Sequence, residues 1–344
     1  MYAVGYMEGL TSDPERQSWT SDAPRPLAWT AWYPAPPGTQ TKEKLLGPTG
    51  SEIFRIGAVA ENAKLSTDAE QWPVVLLSHG TGGSARDLGW LGGHLAAKGF
   101  ICLGVSHHGN TAIEPYLPEG FLCWWERAHD LTVILDWFAS QGPLANRVDL
   151  SHVFAAGFSL GGYTAFALAG AISNMDQFQD WLATKAGSYR GPREFPGLAD
   201  HIPRLLAESA QFQDSFARHA NSYLDRRIQA IATFAPAPTV RAFAPDSIEG
   251  IAIPVRIIVG RDDREAPHDE CSLWLQQHNP NFDLKLLGAD VGHYVFLPEA
   301  TEAGKKLEPS ICIDPDGVDR RTIHVNAAQA TEQLFRGVIK KGLS

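Results

Sequence analysis

The sequence lacks a long apolar run, an excess of positive charge and any closely spaced pair of cysteines. No segment approaches the roughly 18 apolar residues that a membrane-spanning helix needs, so no stable membrane anchor is expected. The formal net charge of −10 argues against a nucleic-acid-binding protein, which would carry a basic face. The four cysteines show no C-x-x-C spacing and the histidines show no ligand spacing. We therefore expect neither a metal site nor a redox motif.

The N-terminal residues also lack the basic segment and the apolar segment of a secretory leader. We therefore expect a cytoplasmic protein, although an exported form whose leader has been removed would look the same. With 344 residues, of which 44% are hydrophobic, the chain is long enough to bury a large core. Nothing in the sequence specifies an oligomeric state.

Strand-like and helix-like segments alternate from Val74 to Leu168 and again from Ile228 onwards. This alternation predicts an α/β fold with a mostly parallel central sheet and helices on both faces. We expect residues 1–170 and 228–344 to form the core and residues 171–227 to form a helical insertion or cap. Because connections of this length are uncommon without a function, the insertion is either a lid over the site or a packed helical excursion. The sequence leaves both open.

Three local expectations complete this outline. Residues 38–72 are polar and irregular, which predicts loops with little helix. Pro267 is expected to begin a helix, with acidic residues in its first turn. Residues 326–340 have the pattern of a C-terminal amphipathic helix, with Leu334 and Val338 turned inward.

The segment Val153–Gly162 combines an apolar strand, the sequence Gly157-Phe-Ser-Leu-Gly161 and the start of a helix. Strand, sharp turn and helix form the context in which G-x-S-x-G marks a nucleophile elbow. Ser159 is then the nucleophile, exposed at the end of the strand. The N–H of Leu160, at the start of the helix, is expected to stabilise a negative oxygen.

A serine nucleophile needs a base and a group that orients the base, and in this architecture the acid precedes the histidine. Two acids, Asp262 and Asp263, follow the predicted strand 255–259, and His293 lies in a loop after the next strand. Ligands bind beyond the carboxyl ends of strands in such sheets, so these residues are expected to meet Ser159 there. Ser159, Asp263 and His293 are the predicted triad.

A glycine-rich turn, His79–Gly83, follows the predicted strand 74–77. Such a turn can aim a backbone N–H at the oxygen of a tetrahedral intermediate, and Thr81 is our candidate, together with Leu160. The ring of His79 is expected to hold this loop. Six residues are predicted to border the substrate pocket, the last two from the insertion: His79, Gly82, His107, Phe158, Phe178 and Trp181.

Six segments together resemble the α/β-hydrolase family: His79–Ser84, Val105–Thr111, Trp125–Leu131, Gly157–Gly162, Gly260–Pro267 and Gly292–His293. More narrowly, the chain is similar over about residues 5–340 to predicted bacterial dienelactone hydrolases related to platelet-activating-factor acetylhydrolases. Asp263, rather than Asp262, matches the position where this family carries its acid. Dienelactone hydrolases use cysteine where this chain has Ser159, which implies ordinary ester chemistry. Many relatives carry histidine where this chain has Phe158.

The residues and the resemblance together predict a serine hydrolase of small carboxylic esters, with short acyl groups and an acyl-enzyme intermediate. No cofactor is required by this chemistry. Two alternatives stay open. One is a serine peptidase or amidase, because the same triad serves amides. The other is a non-catalytic α/β-hydrolase scaffold that acts as a binding module.

Overall fold

The computed structural model describes residues 1–185 and 191–342. The strands in these ranges are β1 Ala3–Ser18, β2 Ser21–Ala35, β3 Lys42–Leu46, β4 Phe54–Glu61, β5 Trp72–Ser78, β6 Ile101–Ser106, β7 Val148–Phe158, β8 Ile228–Phe234, β9 Val255–Val259, β10 Asp283–Leu286 and β11 Glu299–Ala300. They form one sheet in the order β10-β9-β8-β7-β5-β6-β2-β1-β4-β11, with β3 paired to β4.

Six neighbouring strands, from β10 to β6 in this order, are all parallel. The central strands of this set have apolar sequences: β6 and most of β5 and β8 are buried. Strands with both faces covered are expected to have this composition. Because the strands are parallel, their carboxyl ends lie along one edge of the sheet. The predicted α/β-hydrolase type of fold, with a mostly parallel sheet, is confirmed.

Helices cover both faces of the sheet. They are α1 Gly89–Ala97, α2 Pro118–Leu122, α3 Glu126–Ser140, α4 Leu160–Leu168, α5 Met175–Thr184, α6 Ile202–Glu208, α7 Ala210–Ala217, α8 Pro245–Glu249, α9 Ser272–His278, α10 Glu302–Leu307, α11 Pro309–Cys312 and α12 Arg320–Gly342. On one face, α3, α4 and α9 bury side chains such as Leu131, Phe166 and Leu275. On the other, α1 and α12 bury Leu91 and Phe335.

Strands β1 and β2 form a long antiparallel hairpin whose far end is fixed to α3 by buried charges. Asp130 of α3 accepts hydrogen bonds from Arg16 Nη2 at 2.7 Å and from Arg25 Nε at 2.8 Å. The ring of His107 donates to the same carboxylate at 2.9 Å. Burial alone would raise the pKa of Asp130, but Arg25, Arg16 and the His107 hydrogen bond hold it well below its usual value.

Several local expectations were wrong. Residues 38–72 contain two strands, β3 and β4, rather than only loops. Pro267 does not begin a helix: residues 267–271 form turns, with Cys271 N–H donating to Pro267 O, and α9 starts at Ser272. The predicted C-terminal helix is present but longer, and Leu334 and Val338 pack against the core as expected, although Phe335 is the side chain that is fully buried.

The predicted insertion 171–227 holds α5, α6, α7 and a short 3-10 helix, Leu198–His201. Residues 186–190 of the insertion and residues 343–344 of the predicted core lie outside the described residues. Asn174 caps α5 by accepting a hydrogen bond from Gln177 N–H. The indole of Trp125, the residue before α3, donates to Ser215 O at 3.0 Å and so joins α7 to the core. A role as a cap over the site stays a prediction.

We expect Asp130→Asn to lower the free energy of unfolding by about 3–5 kcal/mol, because Arg16 and Arg25 would remain buried without their shared counter-charge. Asp136→Asn is the matched control on α3. Its ion pair with Arg227 is exposed, so we expect a loss under about 1 kcal/mol. Urea unfolding of both variants measures the difference, and equal losses would contradict the assignment.

Candidate active site

The turn between β7 and α4 is a strained backbone that presents Ser159. Its φ of 54° lies in the left-handed region, which costs a non-glycine residue about 1–3 kcal/mol. Neighbouring backbone holds this conformation: Ser159 N–H donates to Phe234 O at 2.9 Å, and Ser159 O accepts from Ala237 N–H at 3.0 Å. A Cβ at Gly161 would overlap the carbonyl oxygen of Ser78. The glycine is therefore required by the close approach of β5.

The structure brings Ser159, His293 and Asp263 together. The Ser159 Oγ lies 3.0 Å from His293 Nε2, and His293 Nδ1 lies 2.8 Å from Asp263 Oδ2. The three residues are 8%, 7% and 4% exposed. This network assigns the proton of the neutral ring to Nδ1, facing the carboxylate, and leaves Nε2 to accept the serine proton.

Only one of the two adjacent acids contacts His293. The second oxygen of Asp263 accepts a hydrogen bond from Ala266 N–H at 2.7 Å, which fixes the carboxylate. Asp262 lies at the surface and pairs with Arg264 at 3.3 Å. The short turn after β9 therefore turns Asp263 inward and Asp262 outward.

The backbone N–H groups of Thr81 and Leu160 have no acceptor within the described residues. Both residues line the same cavity as Ser159. The next residue, Gly82, is fixed from the other side, because its N–H donates to Asn110 Oδ1 at 2.6 Å and its carbonyl accepts from Tyr116 Oη at 2.8 Å. The two free N–H groups can thus hold an anionic oxygen beside Ser159.

A cavity of about 820 Å³ opens in front of Ser159. Its lining is largely apolar, with Phe121 and Trp124 among the aromatic residues, and it also contains Glu194 and Arg193 from the insertion. The side chain of Glu194 lies against Gly82. Burial raises the pKa of this carboxyl. Sequence reasoning missed these four residues, because none belongs to a spacing that predicts contact with Ser159.

Of the six predicted pocket residues, Gly82 and Phe158 line the cavity, and the other four do not. Phe178 and Trp181 are buried in the core, where the Phe178 ring packs edge-on against Trp124 at 5.4 Å. Helical periodicity identified a buried face correctly but could not say which surface covers it. His79 and His107 lie below the cavity floor, with His79 completely buried.

Two further buried serines have histidine and acid neighbours. Ser78 Oγ lies 3.0 Å from His107 Nε2, and His107 also contacts Asp130. Ser18 Oγ lies 3.0 Å from His108 Nε2, and His108 Nδ1 lies 2.8 Å from Glu114. Burial lowers the pKa of His107 to about 3, so this ring stays neutral. Both serines are buried in strands away from the cavity, which indicates structural roles.

Across residues 1–185 and 191–342, no group of three or more His, Cys, Asp or Glu side chains is arranged to hold a metal ion. In the same part of the chain, no helix combines the length and apolar character needed to cross a bilayer.

Gly161→Ala is expected to cost about 3 kcal/mol or more, because a backbone carbonyl cannot move aside as a side chain can. Gly93→Ala in α1 is the control, since a Cβ there meets nothing within 4 Å and alanine favours the helix. Calorimetry should show a lower Tm for the first variant and an unchanged or higher Tm for the second. An unchanged Tm for Gly161→Ala would refute the close contact.

Comparison with known proteins agrees with this architecture. Residues 53–120 match the family model of platelet-activating factor acetylhydrolase, isoform II. No curated protein matches the chain in sequence. Among solved structures, a ferulic acid esterase from Streptomyces cinnamoneus is similar, with a TM-score of 0.62 and 18% identity over 97% of this chain and 89% of that chain. The chain therefore has the α/β-hydrolase fold, and its resemblance to platelet-activating factor acetylhydrolases is confirmed over residues 53–120, while the narrower resemblance to dienelactone hydrolases stays a prediction.

Proposed function

We propose that the protein is a serine hydrolase that cleaves small carboxylic esters. The observation that carries this proposal is the strained Ser159, whose Oγ lies 3.0 Å from His293 while His293 lies 2.8 Å from Asp263. A hydroxyl is a weak nucleophile by itself, and a base within hydrogen-bond reach activates it. The protein supplies every group of this mechanism, so no cofactor takes part in it.

In the proposed reaction, Ser159 Oγ attacks the ester carbonyl while His293 Nε2 takes the hydroxyl proton. The N–H groups of Thr81 and Leu160 hold the oxyanion, each worth about 3 kcal/mol in the transition state. His293 then gives the proton to the leaving alcohol. Water, deprotonated by the same ring, hydrolyses the acyl-enzyme. Asp263 orients the ring and stabilises its charged form.

The volume of the cavity is informative about the size of the substrate. At about 820 Å³ it exceeds an acetyl group many times over, so with a short acyl group the leaving alcohol would fill most of it. We retain short-acyl esters as the narrower proposal. The names of the similar proteins, an acetylhydrolase and an esterase, support the reaction class. The proposal involves neither nucleic acid nor a membrane anchor, and cytoplasmic location stays a prediction.

Ser159→Ala should abolish turnover and leave the fold intact, because only the attacking oxygen is lost. p-Nitrophenyl esters of graded acyl length, with matched p-nitroanilides, measure the activity and separate esterase from amidase. A fluorophosphonate should label Ser159 in the wild-type protein and nothing in the variant. Absence of labelling in the wild type would favour the non-catalytic scaffold, and faster anilide cleavage would favour the amidase.

Asp263→Asn should lower kcat by at least about 10³-fold, since the same change in a serine protease of a different fold costs about 10⁴-fold. Asp262→Asn is the matched control, because its carboxylate is exposed and pairs with Arg264. We expect it to cost less than about tenfold. Steady-state kinetics with one ester that the wild type hydrolyses well measure kcat of both variants. A larger loss for Asp262→Asn than for Asp263→Asn would assign Asp262 as the acid of the triad.

A further inference from the structure

Arg127 of α3 is a fully buried arginine that forms no ion pair within the described residues. Among residues 1–185 and 191–342, its Nε and Nη1 atoms have no hydrogen-bond partner, and its Nη2 donates to the carbonyl oxygen of His79 at 2.6 Å. Burial lowers the pKa of the guanidinium to about 9, so it remains charged at neutral pH. Because a buried charge with unpaired donors lowers stability, the presence of Arg127 at this position needs an explanation other than stability.

The protonation of the His79 ring explains why Arg127 donates to the carbonyl oxygen of His79 rather than to its ring. His79 Nδ1 donates to Gly80 O at 2.6 Å, and His79 Nε2 accepts from His107 N–H at 3.1 Å. Burial lowers the pKa of His79 well below its usual value, so the ring is neutral and its proton is on Nδ1. Nδ1 therefore cannot accept from Arg127, although it lies 3.2 Å away. His79 is thus held both by its ring and by its carbonyl.

The carbonyl of His79 lies close to both of the segments that carry the candidate oxyanion donors. Thr81 is two residues further along the loop. On the other side, a Cβ at Gly161 would come within 3.0 Å of His79 O, so this oxygen touches the turn that carries Leu160. The far side of the loop is fixed separately, with Thr111 Oγ1 donating to Gly83 O at 2.8 Å. The near side of the loop is held by the hydrogen bond from Arg127 Nη2 to His79 O.

We propose that Arg127 is a positioning residue for the oxyanion hole: its bond to His79 O holds the loop so that Thr81 N–H can reach the developing oxyanion. This inference rests on the proposed esterase function. Oxyanion donors act at about 2.7–3.1 Å from the anionic oxygen, and a displacement of about 1 Å can cost about 100-fold in rate. Substrate binding in the cavity does not require this N–H, so kcat should suffer and KM should not.

The test compares wild type with Arg127→Met, which keeps the volume and removes the donor and the charge. Active sites are counted by the end point of fluorophosphonate labelling. Per active site, we expect kcat to fall about tenfold to hundredfold with KM within about twofold. Affinity for a trifluoromethyl ketone, which forms an oxyanion on Ser159, should fall in parallel. Arg127→Lys, which can still donate to His79 O, should recover part of both losses.

Arg147→Met is the matched control. Arg147 also holds a loop through carbonyl oxygens, those of Ser66, Ala69 and Glu70, but at the opposite edge of the sheet. It should lose stability while kcat per active site stays unchanged. If Arg127→Met does not fold, Arg127→Gln, too short to reach His79 O, replaces it with the same expectation.

Failure of the positioning role and failure of the proposed function give different results. Wild-type kcat and ketone affinity in the Arg127 variant, whatever its stability, would overturn the positioning role and leave the esterase proposal intact. A wild-type protein that hydrolyses no ester would overturn the proposed function and, with it, this inference.

Discussion

The close contact between the end of β5 and the turn at the start of α4 is the constraint on which the site depends. Gly161 lies against the carbonyl of Ser78, so that α4 begins directly beside the end of β5. This contact sets the turn that holds Ser159 at a φ of 54°. It also fixes the distance between the loop of Thr81 and the N–H of Leu160. One packing contact therefore positions both the proposed nucleophile and the proposed oxyanion donors.

Side-chain distances alone do not identify the reactive serine in this protein. Ser78 and Ser18 lie as close to a histidine as Ser159 does, at 3.0 Å, and each histidine has an acidic neighbour. Ser78 and Ser18, however, are the last residues of β5 and β1, and neither lines the cavity beside the free N–H groups that surround Ser159. The chemistry of the site is thus a property of its backbone as much as of its side chains.

Much of this arrangement could be predicted because parallel strands end at a common edge. Ser159, Asp263 and His293 each follow a strand, and the topology then brings them together without any knowledge of side-chain packing. Contacts away from that edge of the sheet were harder to predict from the sequence. The buried face of α5 could be predicted, but the surface against which it packs could not. Phe178 was therefore assigned to the pocket instead of the core. Arg127 follows no spacing rule, since its acceptor is a backbone carbonyl in a distant loop.

The order of the strands also bears on how the chain folds. The first hairpin is synthesised early, yet the outer edge of β2 pairs with β6, some 70–80 residues further along the chain. Strand β4 pairs with β1 and β3, and meets its third partner, β11, only some 240 residues further along. Until β6 and β11 are synthesised, the outer edge of β2 and the start of β4 present unpaired N–H and C=O groups. Contacts between such distant segments form slowly, because loop closure precedes any gain from pairing. Of the strand pairs in the described residues, β4–β11 therefore joins the segments that are furthest apart along the chain, and its β4 edge stays unpaired longest during synthesis.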